Sequence, residues 1–129
     1  MGEAVEPGLA LVTLADKMKA VARGEVITAD SEDPRAISEL RSHGVRIIPA
    51  KKGPGSVERG MKWLQTLTGI VIDPEKCPNA AREFGAYEYD RDRDGNFIPR
   101  YPDKGNHTID AVRYAMEPVI RERKATAVL

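Results

Sequence analysis

Apolar side chains along this chain recur at helical spacing in some stretches and gather into short unbroken runs in others. Leu11, Ala15, Met18 and Ala22 stand three or four positions apart and predict a helix from Leu9 to Ala22, with Gly24 as its C-terminal cap. The β-branched run "EVITA", Glu25 to Ala29, predicts a short strand that ends in "DSEDP". There Asp33 followed by Pro34 has the form of an N-cap with proline at the first helical position, so a second helix should run to about His43 and stop at Gly44. "VRIIPA" then reads as a second strand, apolar on both faces as buried parallel strands are. After the loop "KKGPGS", Ser56 is placed to cap a helix with the stripe Val57, Met61, Leu64 and Leu67, in which Trp63 and Leu64 read as core. "GIVID", Gly69 to Asp73, predicts a third strand. Strands alternating with helices imply parallel pairing through right-handed crossovers.

The remainder changes character. "CPNAAREFGAYEY" predicts a short helix leading into a strand, and "DRDRDGNF" supplies an Asp-Gly turn before a return strand at "FIPRY". A last helix is expected from about Asn106 into the 120s, with Ile109, Val112, Met116, Val119 and Ile120 on one stripe and a fraying tail "KATAVL". The fold class is thus α/β: a short, mostly parallel sheet flanked by helices, with a small hairpin before the C-terminal helix. At 129 residues, 41% of them hydrophobic, the chain has material for one core and one domain, spanning 1–129 with flexible ends at 1–8 and 124–129. Twenty basic residues balance twenty acidic ones, so no global field draws the protein onto nucleic acid or an anionic membrane, and any polyanion site must be local. The single cysteine, Cys77, excludes an internal disulfide and a multi-cysteine zinc site. With no membrane-length apolar run and no secretory signal pattern at "MGEAVEPG", the sequence reads as soluble and intracellular.

Three places carry chemistry. Asp30 sits where the first strand ends, at the carboxyl edge where open α/β sheets form sites; it could also serve as a helix cap, but Asp33 already fills that role. On the last helix His107, Asp110 and Tyr114 cluster away from the apolar stripe. Two readings stand: an acid favoured by the helix dipole beside a solvated histidine, or an imidazole and a carboxylate aimed at a metal ion shared with Asp30. Carboxylates suit Mg²⁺ and Mn²⁺, and a nitrogen ligand tilts the preference toward Mn²⁺. Lys51 and Lys52, after the second strand, can reach the same sheet edge and hold phosphates, or simply decorate a solvated turn.

Taken together, "ADSEDP", "KKGPGS", "REFGAYEY" and "NHTIDAVRY" resemble the C-terminal nuclease domain of phage terminase large subunits, over roughly Leu9 to Val119. The resemblance implies a ribonuclease H-like fold in which Asp30, His107 and Asp110 are metal ligands and Asp30 and Asp110 are the catalytic acids. It implies two-metal hydrolysis of DNA with Mg or Mn, the ions about 3.5–4 Å apart, and Lys51 and Lys52 on the phosphate backbone. Its implied partners are double-stranded DNA, the terminase small subunit and the portal, in the cytoplasm of a bacterial host.

The chain departs from that pattern in two ways. The family's nuclease domain opens with hairpin strands, the first carrying another essential aspartate, and follows an ATPase domain. This sequence begins at the helix before the second metal-binding strand and holds no Walker-type loop. A partial ribonuclease H-like fold is therefore expected, from a truncated frame, a split gene or an excised piece, with one acid too few to cut alone. Its exposed sheet edge could pair copies into a homo-oligomer. The competing readings are a non-catalytic prophage remnant that binds DNA or a packaging partner, and a small metal-binding regulatory domain.

Overall fold

The structure is a computed structural model that describes the backbone of residues 8–126 and the side chains of residues 8–122. Among these residues seven elements follow in order: α1 (Leu11–Ala22), β1 (Ile27–Ala29), α2 (Pro34–Ser42), β2 (Ile47–Pro49), α3 (Ser56–Thr66), α4 (Pro78–Ala86) and α5 (His107–Thr126). The strands are parallel, with Ile27 opposite Ile47, Thr28 opposite Ile48 and Ala29 opposite Pro49, and α2 is the crossover that parallel pairing requires. Asp33 starts that crossover: its carboxylate accepts from the N–H groups of Arg35 and Ala36, both at 3.1 Å, with Pro34 at the first helical position. Gly44, at φ 87°, turns the chain back toward β2.

The N-terminal half buries one cluster. Ala15, wholly enclosed, meets Ile37, Leu40, Val45 and Ile47, and Leu11, Leu14, Met18, Ile27 and Ala29 close around them. In the second half α5 packs on β1, α3 and α4, and Met61, Ile109 and Ile120 are buried there. An open apolar cavity of about 340 Å³ lies beside them, lined among others by Leu64, Phe84, Tyr87, Tyr101 and Ile109.

Three expectations need correction. "GIVID" is not a strand: Ile70 is half exposed and Val71 fully so. Strand propensity is realised only against a partner edge and a packed face, and here Asp73 instead turns the chain toward α4, accepting from the N–H groups of Glu75 and Lys76. The sheet therefore has two strands among the described residues, not three. Ser56 is not the cap of α3 but its first residue. Gly55 caps it at φ 73°, a left-handed conformation that glycine adopts without the penalty a serine would carry. Val57 and Val119, placed on buried stripes by periodicity, are both well exposed; Gly60 and Arg113 face inward instead. The expected hairpin before α5 is present and short: Arg91 bridges Phe97 antiparallel, the Asp90 N–H bonds the Arg100 carbonyl and the Ile98 N–H the Asp90 carbonyl, around a turn in which Asp92 accepts from Asp94 and Asn96. Trp63, Leu64 and Cys77 are half-buried. Helix α5 continues through 124–126, and Gly8 sits in a turn; the other residues at the two ends lie outside the described residues.

Candidate active site

Parallel strands deliver their carboxyl ends to one edge, so the segments after β1 and after β2 emerge side by side. That topology brings Lys52 to Asp30: the ammonium Nζ stands 2.5 Å from the carboxylate Oδ1, which also accepts from the Glu32 N–H at 3.1 Å. Hydrogen bonding from Lys52 holds the Asp30 carboxyl below its ordinary pKa, and the same contact drives the lysine up. Asp30 is about half exposed, so the pair shapes the site more than it stabilises the fold. Asp33 is spent on capping α2, as the spacing of the two acids predicts. Lys51 is exposed and lines a small cleft with Ser56, Gly60, Arg113, Tyr114, Glu117 and Ile120.

The second acid stands in the first turn of α5. Asp110 accepts from the Arg113 Nη2 at 2.7 Å on one oxygen and from the Asn106 side chain at 3.1 Å on the other, while its own N–H bonds the Asn106 carbonyl. Both partners are buried, Arg113 at 6% exposure and Asn106 at 7%. Helix α4 contributes Glu83, whose carboxylate accepts from the Thr108 N–H at 2.7 Å and from its hydroxyl. Burial raises the Glu83 pKa, but the bonds from Thr108 and Ile109 and the nearby His107 outweigh it and leave the carboxyl below its ordinary value. A free N–H at the start of α5 is thus satisfied by an acid from another helix.

Between the two acids lies Tyr114. Lys52 Nζ stands 5.6 Å from the centre of its ring and the Arg113 guanidinium carbon 5.4 Å. His107 is exposed at the start of α5, where its charge acts on Glu83. Among the described residues no three His, Cys, Asp or Glu side chains gather closely enough to hold a metal ion, so Asp30, His107 and Asp110 do not form a ready three-ligand cluster. Each acid is held by a cation, one by Lys52 and the other by Arg113. Sequence reading missed Arg113, Asn106 and Glu83. Their signals were the i, i+3 spacing of Asp110 and Arg113 and the i, i+4 spacing of Asn106 and Asp110; Glu83 had none beyond its place in "REFGAYEY".

A parallel βαβ unit with acids at its carboxyl edge, backed by a long helix that brings a second acid, has the architecture of an RNase H-like nuclease domain. Residues 13–118 match the terminase RNAseH-like domain, and the chain belongs to that family. It is 57% identical over 93 residues to the terminase large subunit of Bacillus phage SPP1, covering 70% of this chain and 22% of that protein. It is 31% identical over 104 residues to the PBSX phage terminase large subunit of Bacillus subtilis strain 168, covering 80% of this chain and 24% of that one. The crystal structure of the SPP1 g2p large terminase nuclease domain with bound Mn superposes with a TM-score of 0.82 at 49% identity, over 92% of this chain and 68% of that one. The chain thus spans about a quarter of the length of the curated relatives it matches and two thirds of the solved nuclease domain. Among the described residues no helix is long and apolar enough to cross a membrane.

Proposed function

We propose that the chain, a single domain, is a metal-dependent DNA endonuclease module of a phage terminase large subunit, working by two-metal phosphodiester hydrolysis with Mg²⁺ or Mn²⁺. The observation that carries the reading is the pair of carboxylates on adjoining elements, Asp30 after β1 and Asp110 on α5, each already holding a cation. The donors fit a hard divalent ion in kind, since carboxylate oxygens are its preferred ligands. They do not complete its shell among the described residues. A divalent ion bound there would supply Lewis acidity and an activated water.

The chain's own residues have separate tasks. Asp30 and Asp110 bind and orient, His107 stands ready as a nitrogen donor at the start of α5, and Lys51 offsets phosphate charge without reading bases. Lys52 bonds Oδ1 of Asp30 and keeps that bond when a divalent ion takes the other carboxylate oxygen, its charge adding to that of Lys51 toward a phosphate. The substrate on this reading is double-stranded DNA, with the terminase small subunit and the portal as assembly partners.

The test has two parts. Asp30→Asn and Asp110→Asn should each weaken Mn²⁺ binding, measured by the loss of the free-ion paramagnetic signal. A chimera carrying the preceding hairpin segment of a related terminase should nick plasmid DNA in Mn²⁺ and lose that activity on Asp110→Ala. Binding unchanged in both variants, or a folded chimera that cuts nothing, refutes the assignment and leaves a domain that binds DNA or a packaging partner without catalysis.

A further inference from the structure

We infer that Tyr114 is a positioning residue that fixes Asp30 and Asp110 relative to each other through their cationic partners. The inference rests on the proposed ligand roles of those two acids. The two acids come from different parts of the chain, one from the loop after β1 and one from α5, and like charges on facing elements repel. The structure answers with a continuous chain of contacts. Asp30 holds Lys52 at 2.5 Å, Lys52 lies 5.6 Å from the Tyr114 ring centre, Arg113 lies 5.4 Å from the same centre, and Arg113 holds Asp110 at 2.7 Å. Both cations fall within the roughly 6 Å range over which a ring quadrupole attracts a charge.

Each link is constrained. Arg113 is 6% exposed, and its stem fills the place that a side chain at position 60 would occupy: a Cβ on Gly60 would come within 2.7 Å of the Arg113 Cδ. The guanidinium therefore has little room to swing away from Asp110. Lys52, with about a third of its side chain exposed, is freer. The ring gives its ammonium a second anchor on α5, so the loop after β2 is fastened to the helix that carries the other acid. Tyr114 does this through the two cations.

The quadrupole belongs to the ring, and that separates this role from simple packing. In the full chain Tyr114→Phe should bind Mn²⁺ as the wild type does. Tyr114→Leu should bind about fivefold more weakly, the loss expected from one cation–π contact at a partly exposed site, while its urea midpoint confirms that it is folded. Tyr114→Met, which also fills space without a ring face, is read in its place if the leucine variant unfolds. A further readout needs no variant: the Lys52 Hε and Arg113 Hδ protons of the wild type should show upfield ring-current shifts. Undiminished or tighter Mn²⁺ binding in folded Tyr114→Leu, equal weakening in Tyr114→Phe, or absence of the ring-current shifts overturns the inference. If Asp30→Asn and Asp110→Asn weaken binding in the same series while Tyr114→Leu does not, the ligand assignment stands and only the role of Tyr114 falls.

Discussion

Replacing Gly60 by alanine tests the contact on which the arrangement of Arg113 depends. Gly60 lies within α3, and a glycine there costs about 1 kcal/mol relative to alanine, so on an open helix face the substitution would stabilise. Here the added Cβ would lie 2.7 Å from the Arg113 Cδ and 3.1 Å from its Cγ. An exposed arginine would move aside. This one is buried, packed beside Tyr114 and bonded to Asp110, so relief requires either that α3 and α5 part or that the guanidinium leave its carboxylate. Overpacking of that kind costs about 2–3 kcal/mol, and offset by the gain in helix propensity the net is about 1–2 kcal/mol of destabilisation. For a chain of this size that lowers the melting temperature by about 5 °C. Urea unfolding of Gly60→Ala in the wild-type and Arg113→Ala backgrounds measures it. In the second background the methyl has room, and the substitution should be neutral or stabilising by up to about 1 kcal/mol. Equal costs in the two backgrounds, or a stabilised Gly60→Ala on its own, would show that Arg113 is not held where the structure puts it.

Asp33→Ala should destabilise by about 1 kcal/mol in the same assay, because two N–H groups of α2 lose their acceptor; a change within a few tenths would show that water replaces the cap. Glu83→Gln should cost about 1 kcal/mol at neutral pH through the start of α5. Since the folded Glu83 carboxyl lies below its ordinary 4.5, its contribution is complete above that pH and fades as the pH falls through the folded value. The gap between wild type and variant should therefore close in acid, and a gap constant down to pH 3 refutes the ionic role. The two-stranded sheet leaves an outer edge on β1 among the described residues, so light scattering at tens of micromolar should give a mass above the 14.2 kDa of one chain; a monomer would rule that edge out as an assembly surface.

Local chemistry made the βαβ unit legible in advance. Asp33 and Pro34 mark a helix start by what an aspartate and a proline can do there, and Gly44 marks its end for the same kind of reason. The errors fall where an element depends on a distant partner. Gly69 to Asp73 has the residues of a strand, but a strand exists only when another edge accepts its hydrogen bonds, and composition does not reveal whether one is present. Ser56 has the right chemistry for a cap, yet the Gly-Pro-Gly turn before it needs a positive φ at the capping position, and that steric demand selects Gly55.

The same division runs through the site. Asp30 could be found because parallel strands must present their carboxyl ends together, and Lys52 followed because β2 ends in register with β1. Arg113 could not be found from periodicity, which assigns an arginine to solvent. Its trace in the sequence is Gly60: a helix that tolerates a glycine in its interior gives up stability there, and the close approach of another chain segment is the usual reason. The balance of twenty basic and twenty acidic residues says only that the protein has no global field. In the fold that balance becomes local, with one lysine for Asp30, one arginine for Asp110 and a single ring between them. Two acids can then stand on adjoining elements without a metal ion to hold them there, because each carries its own counter-charge.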